Sequence, residues 1–240
     1  MFRCLAVPVA FLLSMFAMAA HANEAVIRKS LEQRFPGAKV QSVVKTPYAQ
    51  LYEVFMEGQL FYTDANARYL IVGKVIDAES RVNLTERRSE DLLRVSFPSL
   101  PLENALKVVK GDGSRKIAVF SDPDCPFCKQ YEEDLAKLDN VTIYTFVFPI
   151  EGLHAGATEK SKAIWCAPNR VEAWDQWMRK NVLPKNPGTC ENPIAKNVQL
   201  GGKLGVNGTP TTIFADGKRI PGRIPTAQIE QRMNEAKAAK

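Results

Sequence analysis

Lys116-Ile117-Ala118-Val119-Phe120-Ser121-Asp122-Pro123-Asp124-Cys125-Pro126-Phe127-Cys128 is the stretch on which the fold turns. A short apolar run ends in a polar segment containing proline, which reads as a buried strand followed by a turn. Beyond it, Phe127, Tyr131, Leu135 and Leu138 recur at spacings of four, four and three, which predicts one face of a helix. The two cysteines therefore fall at a strand-to-helix junction, Cys125 at the helix N-terminus and Cys128 one turn inside. Pro126 fits the first helical position, where an N–H has no intrahelical partner.

That placement has a chemical consequence. The unpaired N–H groups and the positive end of the helix dipole stabilise a thiolate at Cys125, and a thiolate is the species that attacks a disulfide. Cys128 is then placed to resolve the mixed disulfide. Asp122 and Asp124 act in the opposite sense, because negative charge disfavours a thiolate; spacing alone leaves that balance open. A CxxC can also be half of a zinc site or a plain structural disulfide. No second CxxC exists, because Cys166 and Cys190 are far apart, and the chain has two histidines, His21 and His154. That is too few for the usual mixed zinc sites or a histidine-assisted hydrolase, so no metal is expected.

Residues 1–22 read as a cleaved secretory signal: Arg3 precedes an apolar stretch from Leu5 to Ala20, and Ala20-His21-Ala22 supplies small residues around a cleavage site. A retained membrane anchor is disfavoured by the short span and by Pro8. Cleavage would remove Cys4 from the five cysteines, leaving an even number suited to an oxidising compartment. It would also remove Arg3, taking the formal charge from +6 to +5. Charges of both signs interleave, as in Glu86-Arg87-Arg88-Ser89-Glu90-Asp91, without the basic run that nucleic-acid binding requires.

The remainder reads as two domains joined by a connector. In residues 23–82, Ile27, Leu31 and Phe35 mark an amphipathic helix closed by Pro36-Gly37. Short strands are expected around 40–45, 51–56, 60–63 and 68–76, an α+β arrangement with a small sheet whose open edge could pair with a second copy. Residues 83–101 read as a linker helix, capped by Thr85 and running through Leu92, Leu93 and Val95 to the prolines at 98 and 101. Residues 102–240 continue past the CxxC helix with a strand at Val141–Val147, a long helical region holding Cys166 and Cys190, a hairpin around Asp216-Gly217 and a final helix from Thr226. Strand, helix, strand, insertion, hairpin and helix is the order of an α/β thioredoxin-like fold with an inserted helical segment.

Three separated segments then resemble the DsbC family of periplasmic disulfide isomerases: Val119 to Cys128, Ala163-Ile164-Trp165-Cys166-Ala167, and Leu204 to Pro210 followed by Pro221-Gly222. The resemblance spans essentially the whole chain. It implies a V-shaped homodimer joined through residues 23–82, with a thioredoxin-like catalytic domain on each arm. It implies a cis peptide at Thr209-Pro210, where Thr209, with Pro126 and Phe127, meets the substrate strand; from the sequence alone a plain turn would be preferred. It also implies a structural disulfide between Cys166 and Cys190. Such a loop would contribute roughly 3.5 kcal/mol in the chain-entropy model.

The implied chemistry needs no organic cofactor. Cys125 and Cys128 would rearrange wrong disulfides in misoxidised or unfolded secreted proteins, with some chaperone activity, and a membrane reductase of the DsbD type would keep them reduced. One departure is visible: Pro126-Phe127 stands where the best-known family members carry Gly-Tyr, closer to the Pro-Tyr of the related DsbG proteins. Cys166 and Cys190, which the DsbG pattern lacks, favour DsbC. The alternatives are a DsbG-like reductase or chaperone, a disulfide-donating oxidase, and a binding protein whose cysteine pairs are structural.

Overall fold

The computed structural model describes residues 23–238, so the segment expected to be a signal, residues 1–22, lies outside the described residues. These residues form two compact units that divide between Leu92 and Leu93.

In the first unit a helix over residues 23–34 (α1) packs on a four-stranded antiparallel sheet of order β1-β2-β3-β4. The strands are β1 Val40–Lys45, β2 Tyr52–Met56, β3 Gln59–Thr63 and β4 Leu70–Ile71. Ile27 and Leu31, one helical turn apart, meet Val40, Val43, Tyr52, Val54 and Phe61 in the core. Val40 and Val43 are an odd number of residues apart, so strict alternation would send them to opposite faces. A register shift between Val40 and Ser42 resets the period and lets both face α1.

Three expectations for this part of the chain are corrected. Phe35 lies just past α1 and is exposed. The strand expected over 68–76 shrinks to two residues, Leu70 and Ile71, paired with Thr63 and Tyr62 of β3. The helix α2, Leu84–Leu92, is capped not by Thr85 but by Asn83, whose Oδ1 accepts the Glu86 N–H at 3.1 Å while its side-chain amide donates to Glu86. Thr85 instead points inward, its hydroxyl 2.7 Å from the buried Tyr62 hydroxyl. Arg88, on the same helix, supplies the partner that the buried Glu53 carboxylate needs, at 2.7 Å.

The connector expected over 83–101 is not one helix. α2 stops at Leu92, and Val95, Phe97 and Leu100 are buried in the second unit. Gly217 fixes this attachment: the Val95 N–H donates to its carbonyl at 2.9 Å, and a Cβ there would come within 2.3 Å of the Val95 oxygen. Its φ of +86° is also one that glycine adopts freely.

The second unit is a five-stranded sheet of order β5-β7-β6-β8-β9. Its strands are β5 Leu106–Lys110, β6 Arg115–Ser121, β7 Val141–Val147, β8 Thr211–Phe214 and β9 Arg219–Pro221. β6 and β7 are parallel and joined by helix α3, Pro126–Ala136; the other pairs are antiparallel. β5 pairs through one edge, and its burial alternates although its sequence hardly does, because the exposed Val109 is apolar like the half-buried Val108. β6 shows period two directly. Ile117 and Val119 face α3 and the C-terminal helix α7, Thr226–Ala238, whereas Ala118 and Phe120 face Phe97, Leu100 and Phe148. The insertion consists of α4 Ala157–Trp165, α5 Arg170–Lys180 and α6 Ile194–Lys203. Trp165, Trp174 and Ile194 from these helices pack in one cluster with Cys125 and Cys128.

Candidate active site

β6 ends at Ser121, and the next four residues form a tight turn into α3. Asp122 organises it: its carboxylate accepts the Asp124 N–H at 2.8 Å and the Ile150 N–H at 2.6 Å, and its carbonyl accepts the Cys125 N–H at 3.3 Å. Cys125 is the N-cap of α3, in an extended conformation, and Pro126 opens the helix. The buried face of α3 begins at Cys128, then Tyr131 and Leu135. Phe127, expected on that face, is 61% exposed. At the second helical position it stands beside Pro126 on the outer surface, one residue out of phase with the core stripe.

Cys125 and Cys128 are both free, buried thiols, Cys125 the slightly more exposed at 4% against 1%. Their acidities separate sharply. The Cys125 thiol is lowered to about 5 by hydrogen bonding from the Cys128 side chain, with the Cys128 and Phe127 N–H groups and the Thr209 side chain acting in the same sense against desolvation. Burial, and then Cys125 itself, push the Cys128 thiol up. The Cys128 thiol, followed by the first N–H groups of α3, thus outweighs desolvation at Cys125. Asp124 is ion-paired to Lys160 at 2.6 Å, and Asp122 spends its lone pairs on N–H groups with His154 Nδ1 3.1 Å away. The histidine is close enough for an ion pair but off the line that a hydrogen bond needs.

The loop before β8 completes the site. The Thr209–Pro210 peptide is cis, and the Cys125 Sγ lies 3.4 Å from the Thr209 carbonyl. The Pro210 carbonyl accepts the Gly222 N–H at 2.7 Å, which joins the loop to the strand end at Pro221. Pro210 is buried and Thr209 half-buried, while Pro126 and Phe127 are exposed. These four residues therefore surround Cys125 with one exposed apolar lip and one backbone acceptor. Cys166 and Cys190 are bonded to each other with Cα atoms 5.7 Å apart, tying the end of α4 to the segment before α6. Among the described residues no group of three or more His, Cys, Asp or Glu side chains is arranged to hold a metal ion.

Sequence reasoning did not find Lys160, His154 or Trp177, whose indole N–H donates to the Pro123 carbonyl at 2.8 Å. They come from the insertion and the loop before it, far from the CxxC in sequence, and no spacing rule links them to it.

Residues 102–237 match the family model for a thioredoxin-like domain, and residues 18–86 match the model for the disulfide bond isomerase protein N-terminal domain. The chain is 41% identical over 207 residues to a Bordetella parapertussis protein named "Probable thiol:disulfide interchange protein DsbC", covering 86% of this chain and 73% of that one. It is 29% identical over 230 residues to the Escherichia coli K12 thiol:disulfide interchange protein DsbC, covering 93% of each. A crystal structure of a disulfide interchange protein from Neisseria gonorrhoeae, 44% identical, superposes with a TM-score of 0.55 over 57% of this chain and 98% of that one. A free dithiol at a strand-to-helix junction, an N-terminal isomerase-type domain and these relatives converge. The chain belongs to the DsbC family and is a thiol:disulfide interchange enzyme with disulfide isomerase activity.

Proposed function

We propose that Cys125 is the attacking thiolate and Cys128 the resolving thiol of this isomerase. The observation that carries the assignment is the split between them: one thiol lowered to about 5 at a helix N-terminus, the other raised by burial one turn away. The Cys125 thiolate attacks one sulfur of a mispaired substrate disulfide. Its S–S bond breaks, the new bond joins Cys125 to the substrate, and the released substrate sulfur leaves with the electron pair. A second substrate thiolate then displaces Cys125, returning it as a thiolate with no net oxidation. Alternatively Cys128 loses its proton and attacks Cys125, releasing the substrate reduced and leaving the enzyme oxidised. The second route consumes two electrons per cycle, which a membrane reductase of the DsbD type would restore.

Thr209 and Pro210 hold the substrate strand across from Pro126 and Phe127; the support is the 3.4 Å contact of the Thr209 carbonyl with Cys125 and the exposure of the apolar lip. Cys166–Cys190 is structural and stays closed through the cycle. Residues 23–82 form a dimerisation domain, residues 83–101 a connector and residues 102–240 the catalytic domain. Exposed Tyr69, Leu70, Ile71, Val72 and Ile76, gathered at an open sheet edge, support pairing with a second copy. The enzyme works in the periplasm on misoxidised or unfolded secreted proteins after residues 1–22 are removed, with chaperone activity toward unfolded chains. No helix among the described residues is long and apolar enough to cross a membrane.

The test is the unscrambling of a mispaired substrate by Cys125→Ala and Cys128→Ala variants, together with thiol trapping in cells. Cys125→Ala is expected to lose activity and Cys128→Ala to accumulate a mixed disulfide, with the parent held reduced. Unscrambling by Cys125→Ala would overturn the assignment.

A further inference from the structure

One tryptophan from the inserted helices reaches the middle of the turn that delivers Cys125 and, through two lysines, its far end. Trp177, half-buried on α5, donates its indole N–H to the Pro123 carbonyl at 2.8 Å. Two ammonium groups lie against its ring, Lys129 Nζ at 4.8 Å and Lys160 Nζ at 5.3 Å from the centroid. Lys160, on α4, also holds the Asp124 carboxylate at 2.6 Å. Lys129, on α3, is the residue whose N–H bonds the Cys125 carbonyl at 3.1 Å, and its ammonium hydrogen-bonds Asn181 at the end of α5. Directly or through one partner, the indole contacts Pro123, Asp124 and the first turn after Cys125.

The placement has an electrostatic meaning. Asp124 precedes Cys125 in the chain, and an unpaired carboxylate there opposes a neighbouring thiolate. Lys160 cancels that charge, and Lys129 adds a positive one on the helix that Cys125 caps. Like charges held near one another repel, and the electron-rich indole, within reach of both, offsets that repulsion. The other ionisable groups at the turn are Asp122, with His154 from the loop before α4, and Cys128. Indole suits the role chemically: phenylalanine would keep the ring face and lose the N–H donor, and leucine would lose both.

We infer that Trp177 is a positioning residue for thiol–disulfide exchange, fixing the Asp122–Cys125 turn and seating Lys129 and Lys160 so that the local charge favours a thiolate at Cys125. The inference rests on Cys125 being the attacking thiol.

Iodoacetamide alkylation of the reduced full-length protein, followed against pH with the modified peptide identified by mass spectrometry, tests it. In Trp177→Leu and Lys160→Gln the midpoint for Cys125 modification rises by half a pH unit or more, so the rate below the midpoint falls about threefold. Trp177→Phe falls between Trp177→Leu and the parent. The equilibrium with glutathione moves at least about threefold toward the oxidised protein, because a less stabilised thiolate disfavours the reduced form. A purely structural role would lower the melting temperature and leave both readouts in place. Parent-like midpoints and glutathione equilibria in the variants overturn the inference; if Trp177→Leu does not fold, Trp177→Phe and Lys160→Gln decide it. A parent protein in which iodoacetamide does not select Cys125 would instead sink the attacking-thiol assignment.

Discussion

The hydroxyls of Tyr131 and Thr212 lie 2.8 Å apart, both buried, and join the helix carrying the CxxC to the strand that follows Thr209–Pro210. The first residue comes from the middle of α3 and the second from β8, so the bond fixes how Cys125 and the Thr209 carbonyl face each other. Neither hydroxyl reaches water, and deleting one leaves the other unsatisfied. Tyr131→Phe and Thr212→Val are each expected to cost about 1–3 kcal/mol in urea unfolding, and the double variant less than the two costs combined. Additive losses would mean that the two hydroxyls do not act as a pair.

The acidity of Cys125 fixes the sign of a pH effect on the reduced protein. Its folded value, about 5, lies below the ordinary 9.0 of a thiol. The thiolate therefore stabilises the folded state fully above the ordinary value, and that stabilisation is lost as pH falls through about 5. Cys128 is raised rather than lowered, so its penalty falls only above the ordinary thiol range and leaves this window untouched. Urea midpoints of the reduced parent and of Cys125→Ala, compared from pH 8.5 down to 5, are expected to converge as the pH falls. A constant difference across that range would contradict a thiolate stabilised by the fold.

Much of this site was readable from order along the chain, and the rest was not for a physical reason. Strand β6, the N-cap position of Cys125 and the helix behind it follow from an apolar run, a proline and a 3.6-residue period, all local signals. Phe127 shows where the period misleads: it shares the spacing of Tyr131 and Leu135 but is 61% exposed, and the buried face of α3 begins at its neighbour Cys128. Thr85 failed as a cap because Asn83, two residues earlier, was the better acceptor and Tyr62 needed a buried partner. Trp177, Lys160 and His154 reach the active turn through tertiary packing of the insertion, and no local pattern records such contacts.

Cys166 and Cys190 close a loop with a sequence separation of 24. Replacing both with alanine is expected to cost roughly 3.5 kcal/mol in the chain-entropy model, while the unscrambling rate at a temperature where the variant is folded stays near that of the parent. The oxidised Cys125–Cys128 pair is expected to open first under mild reductant, because the stabilised Cys125 thiolate favours the reduced form of that pair. Thiol labelling during a titration with glutathione reads the order directly. Simultaneous opening of the two pairs would count against a purely structural role for the second.

If β4 is the dimer edge, a single substitution there is expected to separate a dimer from a monomer. Ile71 is 46% exposed and Val72 83%, so in an isolated chain replacing either should change stability by no more than about 0.5 kcal/mol. Only Tyr62 and Thr63 pair with β4, which leaves its outer row of N–H and C=O groups open to a second copy of the same edge. Ile71→Lys puts a charge at that edge in each copy, and across a two-fold interface the like charges face each other. Sedimentation equilibrium is expected to give a dimer for the parent and a monomer for Ile71→Lys at micromolar concentration, with unchanged Cys125 alkylation. An unchanged dimer mass for the variant would move the interface away from β4, and a monomeric parent would remove the dimer altogether.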